Sequence, residues 1–127
     1  MADVVLDASA VLARLLSEPG EEVVSSAVEG ARVSAVNLAE VIARLIDRGV
    51  PVEAAVATTA ELGIDVIPFD ETAALRAGTL RASTRSLGLS LGDRACLALA
   101  EMVGLPVLTA DRAWAELDLD VEVVLIR

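Results

Sequence analysis

The stretch Ser90-Leu-Gly-Asp93-Arg-Ala-Cys96-Leu-Ala-Leu-Ala-Glu-Met102-Val-Gly104-Leu-Pro106-Val-Leu-Thr109-Ala-Asp111 decides the fold. Apolar residues recur at helical spacing from Ser90 through Met102, and Gly104 closes that helix. Pro106-Val-Leu-Thr109 then reads as a strand, and an acid, Asp111, lies two residues beyond it. The same order recurs at the start of the chain, where Asp3-Val-Val-Leu-Asp7 is a β-rich run ending in an acid and Ala8–Leu16 has helical spacing. Between these blocks the pattern predicts a helix over 21–29, a strand over 32–36 and helices over 37–48 and 52–62. A strand over 65–69 follows, with Pro68 marking an edge or a strand end. A long helix over 71–87 precedes the quoted stretch, and a short helix (112–117) and a last strand (121–126) follow it. Strands separated by helices predict an α/β fold: three layers, α/β/α, around a central parallel sheet of about five strands.

At 127 residues the chain suits one domain, taken as 1–127. Hydrophobic residues make up 55%, too many for a disordered chain. Charges interrupt every apolar stretch short of a membrane span, and the start lacks the basic region of a signal peptide, so the expected address is cytoplasmic. There is no histidine and only one cysteine, Cys96. Those counts exclude an internal disulfide, a Cys/His zinc site, and Ser-His-Asp or Cys-His catalysis. All ten cations are arginine, so lysine chemistry is excluded too. Net charge is −10, unfavourable for a polyanion ligand, yet Arg76 to Arg112 carries a local +2 and the remainder −12.

Four acids stand out by position. Asp7 closes the first strand and Asp111 follows the 106–109 strand. Glu40 falls in the first turn or so of the 37–48 helix, and Asp93 near the start of the Ser90 helix. Residues just beyond parallel strand ends gather at one sheet edge, where such folds bind ligands. Each acid also has a purely structural reading. Asp7 can cap the following helix, Glu40 can pair with Arg44, Ser90 and Asp93 form a capping box, and Asp111 can open the next short helix. Gathered at one edge without lysine or histidine, four carboxylates call for a hard cation, Mg²⁺ or Mn²⁺.

The blocks Val5-Leu-Asp7-Ala-Ser9-Ala, Glu40, Leu89-Ser-Leu-Gly-Asp93-Arg-Ala-Cys-Leu-Ala-Leu-Ala100 and Leu108-Thr-Ala-Asp111-Arg-Ala-Trp114 resemble, in order and across essentially the whole chain, the PIN domain. The resemblance is to the VapC-type toxins of toxin–antitoxin pairs. It implies an endoribonuclease dependent on Mg²⁺ or Mn²⁺, usually homodimeric, acting on RNA and inhibited by a small antitoxin. The family's acidic quartet falls on Asp7, Glu40, Asp93 and Asp111, with Ser9 and Thr109 as supporting hydroxyls.

Arg94 and Arg112 each follow a candidate ligand and are placed to meet substrate phosphate or a neighbouring acid; Arg81 and Arg85 are candidates to flank the substrate path or meet an antitoxin. Trp114 reads as packing before base stacking, Cys96 as a buried apolar residue, and Glu116 as an exposed helical acid. A phosphoacceptor receiver domain needs a lysine that is absent. A metal-dependent adhesion module would need a second serine at Val11. The remaining alternative is an inert PIN-like scaffold that only binds protein or RNA.

Overall fold

The computed structural model describes residues 3–127. Within them, five parallel strands, β1 (Val5–Leu6), β2 (Arg32–Ser34), β3 (Asp65–Ile67), β4 (Val107–Thr109) and β5 (Val123–Leu125), form one sheet in the order β3-β2-β1-β4-β5. Helices α1 (Ala8–Leu15), α2 (Glu21–Ser25), α3 (Ala35–Asp47) and α4 (Val52–Ala60) connect the first three strands. Helices α5 (Glu71–Thr79), α6 (Arg81–Thr84) and α7 (Leu91–Val103) link β3 to β4.

The alternation of β1 fixes the layers. Val4 and Leu6 join one core cluster with Val11, Val24, Val41 and Leu45 from α1–α3, while Val5 joins a second with Leu80, Leu97, Val107 and Trp114. Successive strand residues point to opposite faces, so the two clusters lie on opposite sides of the sheet. That is the expected α/β/α sandwich. The strand order reverses between β1 and β4, which opens a crevice at their carboxyl ends. Asp7 leaves β1 there, and Thr109–Asp111 leave β4.

Several boundaries differ from the sequence reading. The segment 71–87 is not one helix: it breaks at Leu80 into α5, α6 and a 3-10 turn, Arg85–Leu87. Thr79, Ser83 and Thr84 donate their hydroxyls back to the carbonyls of Arg76 and Leu80, which bends a helix, and Gly78 weakens it further. The 21–29 helix ends at Ser25; Ser26 likewise bonds the Val23 carbonyl. Helix α3 starts at Ala35 because Ser34 ends β2 and caps it, accepting the Val36 N–H. Glu40 therefore sits in the second turn of α3, not the first. β3 is an edge strand, as Pro68 suggested.

Candidate active site

Asp7, Glu40, Asp93 and Asp111 line one open cleft of about 300 Å³ at the carboxyl ends of β1 and β4, together with Ser9, Arg44 and Ser90. A larger cleft of about 520 Å³ lies at the opposite ends of β4 and β5, between 100–106 and 119–122, and holds none of the four.

Each carboxylate is anchored through one oxygen. Asp7 Oδ2 accepts the hydroxyls of Ser9 (2.7 Å) and Thr109 (2.8 Å). Those hydroxyls in turn accept the N–H groups of Ala110 and Asp111, so the ends of β1 and β4 are stitched together through Asp7. Glu40 Oε1 accepts from the Asn37 amide. Asp93 Oδ2 accepts the Ser90 N–H while Ser90 Oγ accepts the Asp93 N–H, a complete capping box. Asp111 Oδ1 accepts the Ala113 N–H and caps the 3-10 helix Arg112–Glu116. The second oxygens of Glu40, Asp93 and Asp111 accept no hydrogen bond among the described residues. The structural and chemical readings of Asp93 and Asp111 are thus compatible, since capping uses one oxygen and leaves the other.

No ion pair among the described residues neutralises any of the four. The Glu40–Arg44 pair, the purely structural alternative for Glu40, does not form, although Arg44 lines the cleft. Asp7 is only 5% exposed, and burial pushes its carboxyl up from 3.8 to about 6 against the pull of the Ser9 and Thr109 hydroxyls; nearby Asp93 adds to the rise. The buried Cys96 thiol is raised by burial and then by Asp7, Asp93 and Glu40 together, so one interior point feels three of the acids. Oxygen donors with uncompensated charge fit a hard divalent cation in chemistry. In spacing the site is open: among the described residues no three acidic or Cys side chains stand close enough to hold an ion as placed.

The arginines divide. Arg81, Arg85 and Arg112 are exposed and unpaired among the described residues. Arg94 is turned inward instead, donating to the Ala77 carbonyl of α5, with its Nε buried and unpartnered. Trp114 is fully buried in the second core cluster and packs rather than presenting a stacking face. Cys96 is fully buried and Glu116 exposed, both outside the cleft lining. Asn37 and Gly92 escaped the sequence reading, and Arg44 entered it only as a pairing partner for Glu40. Asn37 lies one turn before Glu40 on the same helix face, a spacing that signals contact. Gly92 shows only as a glycine inside a helical pattern.

A model of the PIN domain family matches residues 4–119. No curated protein sequence matches the chain significantly. Among solved structures, the chain is similar to one in a toxin–antitoxin complex from Klebsiella pneumoniae, at 19% identity with 98% of each chain covered and a TM-score of 0.75. It is also similar to one in VapBC-5, a member of the VapBC family of toxin–antitoxin systems from Mycobacterium tuberculosis: 25% identity, 100% and 99% coverage, TM-score 0.66. VapC20 of the same organism, described as a sarcin–ricin loop cleaving toxin, is 18% identical, with 94% and 98% covered and a TM-score of 0.71.

Proposed function

The chain belongs to the PIN domain family, and from that premise we propose that it is a metal-dependent endoribonuclease, the toxin of a toxin–antitoxin pair, hydrolysing RNA phosphodiester bonds. One observation carries the reading: four carboxylates line a single cleft at the sheet's switch point, and no ion pair among the described residues offsets them. The VapC20 toxin that the fold resembles is described as cleaving the sarcin–ricin loop, which supports RNA as the substrate class. The Klebsiella complex supports an antitoxin partner.

Asp7, Glu40, Asp93 and Asp111 are the residues that would hold Mg²⁺ or Mn²⁺. When bound, such a cation supplies Lewis-acid stabilisation of phosphate charge and activates the hydrolytic water. Ser9 and Thr109 fix the Asp7 carboxylate through Oδ2. Asn37 does the same for Glu40. The chain contains no histidine, so the reading assigns no imidazole as proton carrier. Arg44 is the arginine lining the cleft and meets the strand nearest the acids. Arg81, Arg85 and Arg112, exposed, offset repulsion of the backbone at longer range. Arg94, bonded to Ala77, serves α5–α7 packing first. Exposed apolar side chains, including Leu75 (64%), Val52 (56%) and Leu91 (51%), give surface for a second copy of the chain and for the antitoxin.

The separated carboxylates favour one alternative, an inert PIN-like scaffold. The test is RNA cleavage with Mg²⁺ or Mn²⁺ against chelator, for wild type and Asp7→Asn, paired with expression of each with and without the neighbouring small gene. Metal-dependent cleavage and growth arrest by wild type alone, relieved by the neighbour, support the toxin. Absence of cleavage by purified wild type under every metal condition selects the scaffold.

A further inference from the structure

We propose that Asn37 is a positioning residue for Glu40, and that position 92 is glycine because the Glu40 carboxylate occupies the space a side chain there would fill. The inference rests on the nuclease reading for its consequence but on packing for its geometry. Asn37 is fully buried in α3, and its amide uses both protons. One bonds Glu40 Oε1 at 2.9 Å, the other the Gly92 carbonyl at 3.0 Å across the interface with α7. The same amide therefore ties the carboxylate to α3 and α3 to the first turn of α7, where Asp93 also sits.

A Cβ at Gly92 would overlap both carboxylate oxygens of Glu40. Gly92 lies in helical conformation without positive φ, so the backbone does not require glycine there. Alanine is the better helix former. The three nearest atoms it would meet all belong to the Glu40 carboxylate, the far end of a flexible side chain that can swing away. Gly92→Ala thus folds and evicts Glu40. Asn37 Oδ1, buried with no donor among the described residues, shows that this amide is oriented by what its protons bind. A residue holding one oxygen of a ligand carboxylate sets where the other oxygen points, and removing such supports typically weakens metal affinity about 10- to 100-fold.

The experiment measures Mn²⁺ binding by calorimetry and melting temperature in chelator for wild type, Asn37→Ala, Gly92→Ala, Glu40→Ala and Asn37→Ala/Glu40→Ala. Both single support variants are expected to lose affinity to about the level of Glu40→Ala, and the double variant to lose no more. Gly92→Ala is expected to melt at or above wild type, which separates eviction from misfolding. Wild-type affinity in Gly92→Ala, or full additivity in the double variant, overturns the proposal. Failure of wild type itself to bind Mn²⁺ refutes the nuclease reading, and the positioning is then decided without metal by the side-chain amide signals of Asn37. A shift of one proton but not the other in Glu40→Ala supports it, and unchanged signals overturn it.

Discussion

Neutralising Asp7 should stabilise the metal-free protein. Its carboxyl lies near 6 in the folded state against 3.8 when exposed, because burial disfavours the charged form. The folded state therefore binds the Asp7 proton more tightly than the unfolded state. Stability from this group is lowest above pH 6, rises as pH falls through about 6, and levels off below 3.8. At about 1.4 kcal/mol per pH unit, the full difference is roughly 3 kcal/mol, of which about 1.3 kcal/mol is recovered between pH 7 and pH 5. Asp7→Asn keeps an oxygen for the Ser9 and Thr109 hydroxyls and removes the charge. In chelator at pH 7 the variant should be about 1–3 kcal/mol more stable, or roughly 3–15 °C in melting temperature for a chain of this size. The gap should shrink by pH 5 and nearly close at pH 4. Groups remote from the cleft, such as Glu101, titrate alike in both proteins and cancel in the comparison. The single tryptophan, Trp114, is fully buried, so its emission follows unfolding. A variant that melts below wild type at pH 7, or a gap that stays constant down to pH 5, refutes the argument.

Metal addition at pH 7 should close or reverse that gap: saturating Mn²⁺ at about 100 times its dissociation constant adds roughly 2.7 kcal/mol to wild type and far less to Asp7→Asn, read by melts with and without chelator. Glu40→Gln and Asp111→Asn should each reduce metal-dependent RNA cleavage by orders of magnitude with native circular dichroism; near-wild-type turnover in either removes that residue from the site. Gly20 holds φ +96°, and a Cβ there would lie 2.5 Å from the Ile126 carbonyl oxygen, a backbone atom with nowhere to go. Gly20→Ala should therefore cost at least about 2 kcal/mol in a denaturant titration. Glu101 is held below the usual carboxylate range by its hydrogen bonds to Arg76, so its contribution is present above the unfolded value and lost as pH falls through the depressed folded one; Glu101→Gln should flatten the acid limb of the stability profile.

The acids were legible because a parallel sheet converts sequence position into spatial position. A residue after a strand end is at the carboxyl edge whatever the rest of the chain does, so Asp7 and Asp111 needed only their strands. Asp93 needed only its cap. The resemblance to a known family then assembled them with Glu40. Asn37 and Gly92 were not legible in the same way, because their meaning is a contact between α3 and α7, 55 residues apart in sequence. The long 71–87 helix failed for a local reason: hydroxyl residues at 79, 83 and 84 compete for helix carbonyls, and a hydrophobic period does not register that competition. Arg94 shows the limit from the other side, since neighbouring a candidate ligand in sequence did not bring its guanidinium into the cleft.

Asp93 is where folding and chemistry share one side chain, and the two contributions can be separated. Its charge at the start of α7 interacts favourably with the helix N-terminus, worth about 0.3–1 kcal/mol, and its Oδ2 completes the capping box. Against this, it is among the causes that raise Asp7. Asp93→Asn keeps an acceptor for the Ser90 N–H and loses only charge, so in chelator at pH 7 the two effects oppose and the melting temperature should move little. Asp93→Ala also loses the cap, about 1 kcal/mol, and should melt roughly 3–5 °C lower. The decisive comparison places Asp93→Asn in the Asp7→Asn background. There the repulsion is already gone, only the favourable helix-end charge is lost, and the same substitution should become more destabilising than in wild type. Strict additivity of the two substitutions would mean that Asp7 and Asp93 do not share a field, and the cleft would then be a set of helix caps rather than one acidic site.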